Sequence, residues 1–194
     1  MYTLKTRRKY GIFFSFTTDP MLRDTIGLTH IAMNIATDYG IPVYILTKRA
    51  DWLKSLLPVM HYEMYAFGFT LTGCDELEPN ASTNQERIAA MERLHDMGFK
   101  TFASIEPIID IDKSMEMIKQ TLGFCDLYKI GLLSGKRDYS KELLNCFVGR
   151  TCWLVSSRTQ SSKIYWKESV KKYLGNDIVC ARGVDADYNL FTDK

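Results

Sequence analysis

Polar residues sit at the ends of otherwise apolar runs along this chain. Ile12 to Asp19 reads IFFSFTTD, Val43 to Lys48 reads VYILTK, Ala66 to Thr72 reads AFGFTLT and Thr101 to Glu106 reads TFASIE. Side chains alternate faces along a strand, so Ser15, Thr17 and Asp19 share one face while Phe14 and Phe16 take the other. By the same alternation Thr70 and Thr72 oppose Phe67, Phe69 and Leu71, and Ser104 with Glu106 opposes Ala103 and Ile105. These runs alternate with helical stretches, which predicts a parallel α/β sheet, whose strands usually carry apolar side chains on both faces. A polar inner face then needs an occupant: a polar ligand at the carboxyl ends of the strands, where open α/β sheets and barrels place their sites.

The punctuation between strands predicts the helices. Asp19 is a good N-cap with Pro20 at the first helical position, and a helix containing Ile31 and Ile35 should run to Tyr39 before Gly40 ends it. A short amphipathic piece follows the second strand, from Asp51 to Met60 and limited by Pro58. The polar loop GCDELEPNAS after Thr72 is long for a strand-to-helix connection and is a candidate functional loop. Thr83 and Glu86 then form a capping box ahead of Ile88, Met91, Leu94 and Met97, with Gly98 closing the helix. The strand KTFASIEPI, a helix from Asp112 to Leu122 and the strand DLYKIGLL repeat the unit. Further on we expect a helix near Tyr139 to Phe147, a strand TCWLVSS, a helix from Ser162 to Leu174 and a strand DIVCARG.

About seven strands wound in one direction give a partial, TIM-like parallel (β/α) barrel, with an open doubly wound sheet as the alternative. Residues 1–194 read as a single domain, with 1–10 as a flexible start. A formal charge of +2, from 25 basic and 23 acidic residues, makes no case for nucleic acid, though it does not exclude it. No stretch approaches the ~20 apolar residues of a bilayer span, and no apolar signal core follows the basic amino terminus, so a cytoplasmic protein is expected. Cys74, Cys125, Cys146, Cys152 and Cys180 are odd in number and widely spread, which suits reduced thiols. Cys146 and Cys152 read as buried thiols near a helix and a strand rather than a metal pair.

Three charged residues stand out by position. Lys48 ends its strand where an ammonium can meet a carboxylate or phosphate, or cap the next loop. Arg87 lies in the first turn of its helix, unfavourable for a cation, so it should pair with an anion, either a ligand or Glu78. Glu106 precedes Pro107, which forces an extended backbone and aims the carboxylate from the strand tip, as a ligand-binding acid or as a strut bonded to a neighbouring strand or Lys129. His30, His61 and His95 lack metal-ligand spacing and read as structural, and no metal site is expected. GLLSGKR has too few residues between its glycines for a phosphate loop, and the common dinucleotide, hydrolase and zinc-protease motifs are missing.

Taken in order, SFTTDP at 15–20, ILTKR at 45–49 and FTLTGCDELEPNASTNQERIAAMERLHDMGFKTFASIEPIID at 69–110 resemble the radical S-adenosylmethionine superfamily, and most of all its spore photoproduct lyase-like branch. The match runs from Gly11 to Ile111 and weakens towards Gly135. The resemblance implies a partial barrel whose lumen holds S-adenosylmethionine. It places Lys48 and Thr70 against the methionine part, Ser15 and Asp19 on the ribose side beside the polar face shared by Thr72, and Arg87 and Glu106 as secondary contacts.

The family also carries a four-iron, four-sulfur cluster on a C-x-x-x-C-x-x-C loop after its first strand. This sequence contains no such loop. It starts near what would be the third strand, so the expectation is a carboxyl-terminal part of a radical enzyme, truncated and unable to catalyse alone. A non-catalytic β/α module binding a small anionic ligand or a partner protein is the competing reading. A barrel lacking two units would leave strand edges unpaired, which predicts self-association or a partner chain.

Overall fold

The computed structural model describes residues 9–14, 17–55, 62–133, 138–159, 162–175 and 189–191. Six strands alternate with helices: β1 (Ile12–Phe14), α1 (Ile26–Asp38), β2 (Val43–Thr47), β3 (Tyr65–Thr70), α2 (Asn84–Asp96), β4 (Lys100–Ile108), α3 (Ile111–Thr121), β5 (Leu127–Leu132), α4 (Lys141–Arg158), β6 (Lys163–Trp166) and α5 (Glu168–Leu174). All pairings are parallel and the spatial order is β1-β2-β3-β4-β5-β6. A doubly wound sheet reverses direction at its switch point. Here every crossover advances the same way, so the sheet is the open, partial barrel of the two expected architectures, with six strands among the described residues against the expected seven.

Local chemistry explains most element ends. Thr83 and Glu86 form the capping box of α2, Asp110 accepts from the backbone of Lys113 at the start of α3, and Ser140 accepts from that of Leu143 at the start of α4.

Three expectations fail. Residues 20–25 form turns, not helix, because the Thr25 hydroxyl donates back to the carbonyls of Asp19, Pro20 and Leu22 and α1 begins only at Ile26. Ile31 and Ile35 face outward, while Thr29, Met33 and Ala36 are buried. TCWLVSS is not a strand but the second half of α4, where Leu144, Phe147, Val148, Thr151, Cys152 and Val155 recur at helical spacing on the buried face. The strand instead comes at Lys163–Trp166, inside the segment expected to be helix. DIVCARG lies outside the described residues.

The sheet separates two cores. On the outer face Ile45, Phe67, Phe69, Ala103, Ile105, Tyr128 and Ile130 pack under the helices. Here α1 lies on β2, α2 on β3 and β4, α3 on β4 and α5 on β5. On the inner, concave face Tyr44, Ala66, Phe102 and Leu127 form a second cluster with Phe13, Leu46, Tyr165, Leu190 and Phe191. Phe102 lies across Gly68 of the neighbouring strand, where a Cβ would come within 2.2 Å of its ring. Only glycine admits that aromatic floor.

Candidate functional site

The carboxyl ends of the strands carry two polar groups of different character. The first lies at the β2–β3 corner. Asp19 accepts from the Thr47 hydroxyl at 2.7 Å, from the Lys48 backbone N–H at 2.8 Å and from that of Met21 at 2.9 Å. Glu78, on the loop after β3, takes the Lys48 ammonium at 2.6 Å on one oxygen. Its other oxygen accepts from Arg87 at 2.8 Å and from the Thr72 hydroxyl at 3.0 Å.

Arg87 is fully buried and also donates to the carbonyls of Thr70 at 2.6 Å and Ser82 at 2.7 Å. The Asn84 side chain accepts from the backbone of Thr72 and Gly73 and donates to Asp75. The polar loop expected to be functional is thereby buckled onto the strand ends. Burial pushes the Glu78 carboxyl up, but the hydrogen bonds from Lys48 and Arg87 win and hold it below its ordinary range.

The second group lies on the concave face from β3 to β6. Register aligns Thr70, Ser104, Lys129 and Tyr165 in one row across four strands. Thr70, Ser104 and Lys129 are buried. The Lys129 ammonium stands 4.2 Å from the centroid of the Phe13 ring and 5.8 Å from that of Phe102. Loss of water pushes its pKa down to about 8. One row nearer the strand tips, Glu106 is paired with Lys167. The pair crosses over Gly131, where a Cβ would stand 2.6 Å from Glu106 Oε1 and 2.9 Å from Lys167 Cδ.

Beneath both rows, Tyr44 donates to Asn189 at 3.1 Å and accepts from the Leu190 backbone at 2.7 Å, closing the floor.

Of the residues predicted from the sequence, Asp19, Lys48, Thr72 and Arg87 meet at the first corner, joined by the carbonyl of Thr70. Glu106 stands with the second group, as does the Thr70 side chain. Ser15 lies outside the described residues. Arg87 pairs with Glu78, one of its two expected partners. Glu106 finds Lys167 rather than Lys129, and β4 runs from Lys100 through Ile108, the span expected of KTFASIEPI, with a register shift after Ile105.

Lys129 as a lumen residue and Lys167 were missed. The signal for Lys129 was present, a lysine at alternate spacing between Leu127 and Gly131 in an apolar strand.

Cys74 and Cys125 are buried and free, Cys146 is exposed, and Cys152 is disulfide-bonded. The expectation of five reduced thiols therefore fails at Cys152, and that of a buried thiol at Cys146, because separation along the chain says little about proximity in the fold. Among the described residues no group of three or more His, Cys, Asp or Glu side chains is arranged to hold a metal ion. Among them also, no helix is long and apolar enough to cross a membrane.

No protein-family model and no curated protein matches the sequence. Among solved structures, the fold is similar to that of SuiB from Streptococcus suis, with a TM-score of 0.54 and 11% identity over 72% of this chain and 36% of that one. The structure of SuiB bound to S-adenosylmethionine matches with a TM-score of 0.53, at the same identity and coverage. The chain thus spans about a third of the length of those structures (36%). At 11% identity the likeness is one of fold, a parallel β/α sheet wound in one direction.

Proposed function

We propose that this chain is the S-adenosylmethionine-binding portion of a radical S-adenosylmethionine family protein of the spore photoproduct lyase-like branch, holding its ligand on the concave face above the aromatic floor. The observation that carries the reading is the concave face itself, an aromatic floor under a polar row in an open, one-directional sheet. The likeness of that sheet to a protein crystallised with S-adenosylmethionine supports it.

The side chains present fit the ligand's parts. The half-buried Phe13 and Tyr165 are the rings available to adenine, over a fully buried Phe102. The hydroxyls of Thr70 and Ser104 suit a ribose. Glu106 and Lys167 carry the charges that complement an α-ammonium and an α-carboxylate. Lys48, with its side chain 46% exposed, reaches the same rim and shares Glu78 with any ligand it meets. Arg87, wholly enclosed, acts by fixing Glu78 and the Thr70 carbonyl. Asp19 fixes the ends of β1 and β2 around the ribose side.

When bound, the cofactor supplies an adenosyl group activated at its sulfonium. The iron–sulfur cluster that would trigger cleavage does not fit this chain, whose five cysteines contain no C-x-x-x-C-x-x-C run. The chain by itself binds and does not cleave. A partner chain is part of this reading: among the described residues β1 and β6 each pair on one side only, leaving backbone donors and acceptors for another strand.

Calorimetry with S-adenosylmethionine tests the proposal, with saturable binding weakened by Lys48→Ala as the expected result. Absence of binding together with saturable binding of phosphate or sulfate would replace it with the second reading, a non-catalytic module for a small anion. That reading draws on Lys129, Lys163 and Lys167, three amines carried on the inner face of β5 and β6 and just after it.

A further inference from the structure

Away from the concave face, the outward side of α1 departs most from an ordinary solvated surface. Leu28, Ile31, Ile35 and Tyr39 follow one another at helical spacing and are between 53% and 70% exposed, while Thr29, Met33 and Ala36 on the opposite side meet the sheet. Neighbouring helices are different. α2 turns Glu86, Glu92, Arg93 and Asp96 to solvent, and α3 turns Asp112, Lys113, Glu116 and Lys119. No lysine or arginine lies within α1, and Asp38 is its one carboxylate. Four side chains exposed to this degree offer roughly 450 Å² of surface, a patch as large as the largest on a typical monomer and of a size that is often functional.

The face that best fits this stripe is the same stripe. A charge-free ridge gives a charged partner nothing to select, but it is self-complementary about a two-fold axis passing between Ile31 and Ile35. With two copies antiparallel, Ile31 of one meets Ile35 of the other, and Leu28 meets Tyr39. The helix ends favour that direction. No side chain caps the start of α1, because the Thr25 hydroxyl is spent on the carbonyls of Asp19, Pro20 and Leu22, and no acidic residue lies in the first turn. Arg23 and Asp24, just ahead of the helix, offset each other. The last turn holds Asp38 and no basic residue. Antiparallel packing sets Asp38 and the terminal carbonyls of one copy beside the free N–H groups of the other, whereas parallel packing would set like ends together.

We propose that α1 is a self-association face, and that a second copy of this chain covers the Leu28, Ile31, Ile35 and Tyr39 stripe with its own in antiparallel register. The contact lies on the outer, helical side of the sheet, so both concave faces stay open and neither strand edge is used. It goes beyond the S-adenosylmethionine reading and does not depend on it. With Gly27, Asn34 and Asp38 at the flank, the two faces bury about 1,000 Å², the low end for specific interfaces, so pairing is concentration-dependent with a Kd on the order of 10–100 μM.

Sedimentation velocity of the full chain from about 1 to 300 μM is the test, with a mass that climbs from one chain towards two as the expected result. A single-chain mass throughout overturns the proposal. Ile31→Glu and Ile35→Lys change exposed positions, so both variants should fold, as circular dichroism checks, and each should weaken association at least ~10-fold. Unchanged association in either variant overturns the assignment to α1. An equimolar mixture of the two should pair more tightly than either alone, since the antiparallel register brings the introduced carboxylate against the introduced ammonium. Failure of the mixture to do so overturns that register. Trp153→Glu, which changes an exposed apolar residue of α4, should leave association as it is, and a loss equal to that of Ile31→Glu would move the interface off α1 and overturn the proposal.

Discussion

The two polar corners at the strand ends use the same residue types for opposite ends. At β2–β3 every charge is answered within the fold: Asp19 by a hydroxyl and two backbone N–H groups, Glu78 by Lys48, Arg87 and Thr72, and Arg87 by two carbonyls as well. At β4–β6 a buried amine is lodged against aromatic rings, and the Glu106–Lys167 pair lies one row nearer the strand tips. A hydrophilic strand end therefore does not by itself mark a binding site. What surrounds the group, a closed set of hydrogen bonds at one corner and aromatic rings at the other, distinguishes the two.

The sharpest way to break this contrast is to remove one charge from each corner. Arg87→Met leaves the Glu78 carboxylate enclosed beside a surviving Lys48, and should lower stability in urea by about 3–5 kcal/mol. A loss below about 1 kcal/mol, the range of exposed pairs, would show that the corner is no strut. Lys129→Met should act in the other direction, raising stability at pH 7 by about 2 kcal/mol because a poorly hydrated charge is removed.

Its pH dependence sharpens the point. With a folded pKa of about 8 against an ordinary 10.5, Lys129 is charged in both states below pH 8 and neutral in both above 10.5. The unfolded chain binds the extra proton in between, so wild-type stability climbs relative to Lys129→Met as pH rises from 8 to 10.5, and the difference attributable to charge closes at the top.

Smaller effects are expected at Glu78 and Gly131. Because the Glu78 carboxyl titrates below its ordinary 4.5 in the folded chain, its contribution is present above that pH and is lost as pH falls through the lower folded value. Acid titrations of stability should therefore be steeper for the wild type than for Glu78→Gln. Gly131→Ala forces the Glu106–Lys167 pair off its bridge and should cost about 1–2 kcal/mol, read as a fall in Tm. Smallest of all, Glu106→Gln weakens a pair whose side chains are about 30% exposed (31% and 29%) and should cost less than about 1 kcal/mol.

The parallel strands were legible because a period of two with polar ends is a local signal, and α2 was legible from Thr83 and Glu86 alone. TCWLVSS misled because a seven-residue window rich in Val, Thr and Trp favours a strand. Over eighteen residues, Leu144 to Val155 show the helical face that tertiary packing selects. Asp19 looked like a helix cap, yet its carboxylate is drawn to Thr47, twenty-eight positions away. Arg87 and Glu78 could be paired from a cation misplaced in a first turn. Lys129 could be assigned to a face, but not to its rings, since Phe13 and Phe102 come from strands whose register no local pattern encodes. The sequence likewise contained no hint that Lys167 would claim Glu106 across Gly131.

The floor of the concave face is closed by partners far apart in the chain, with Tyr44 and Asn189 separated by 145 positions and Asn189 also donating to the Lys9 carbonyl, 180 positions away. During ribosomal synthesis the helical outer layer and the buckled β2–β3 corner have their partners early, whereas Phe13, Tyr44 and Phe102 wait for Asn189 to Phe191 to emerge. A nascent chain stalled before position 189 presents those rings to chaperones, and the aromatic basin closes only once that segment has emerged.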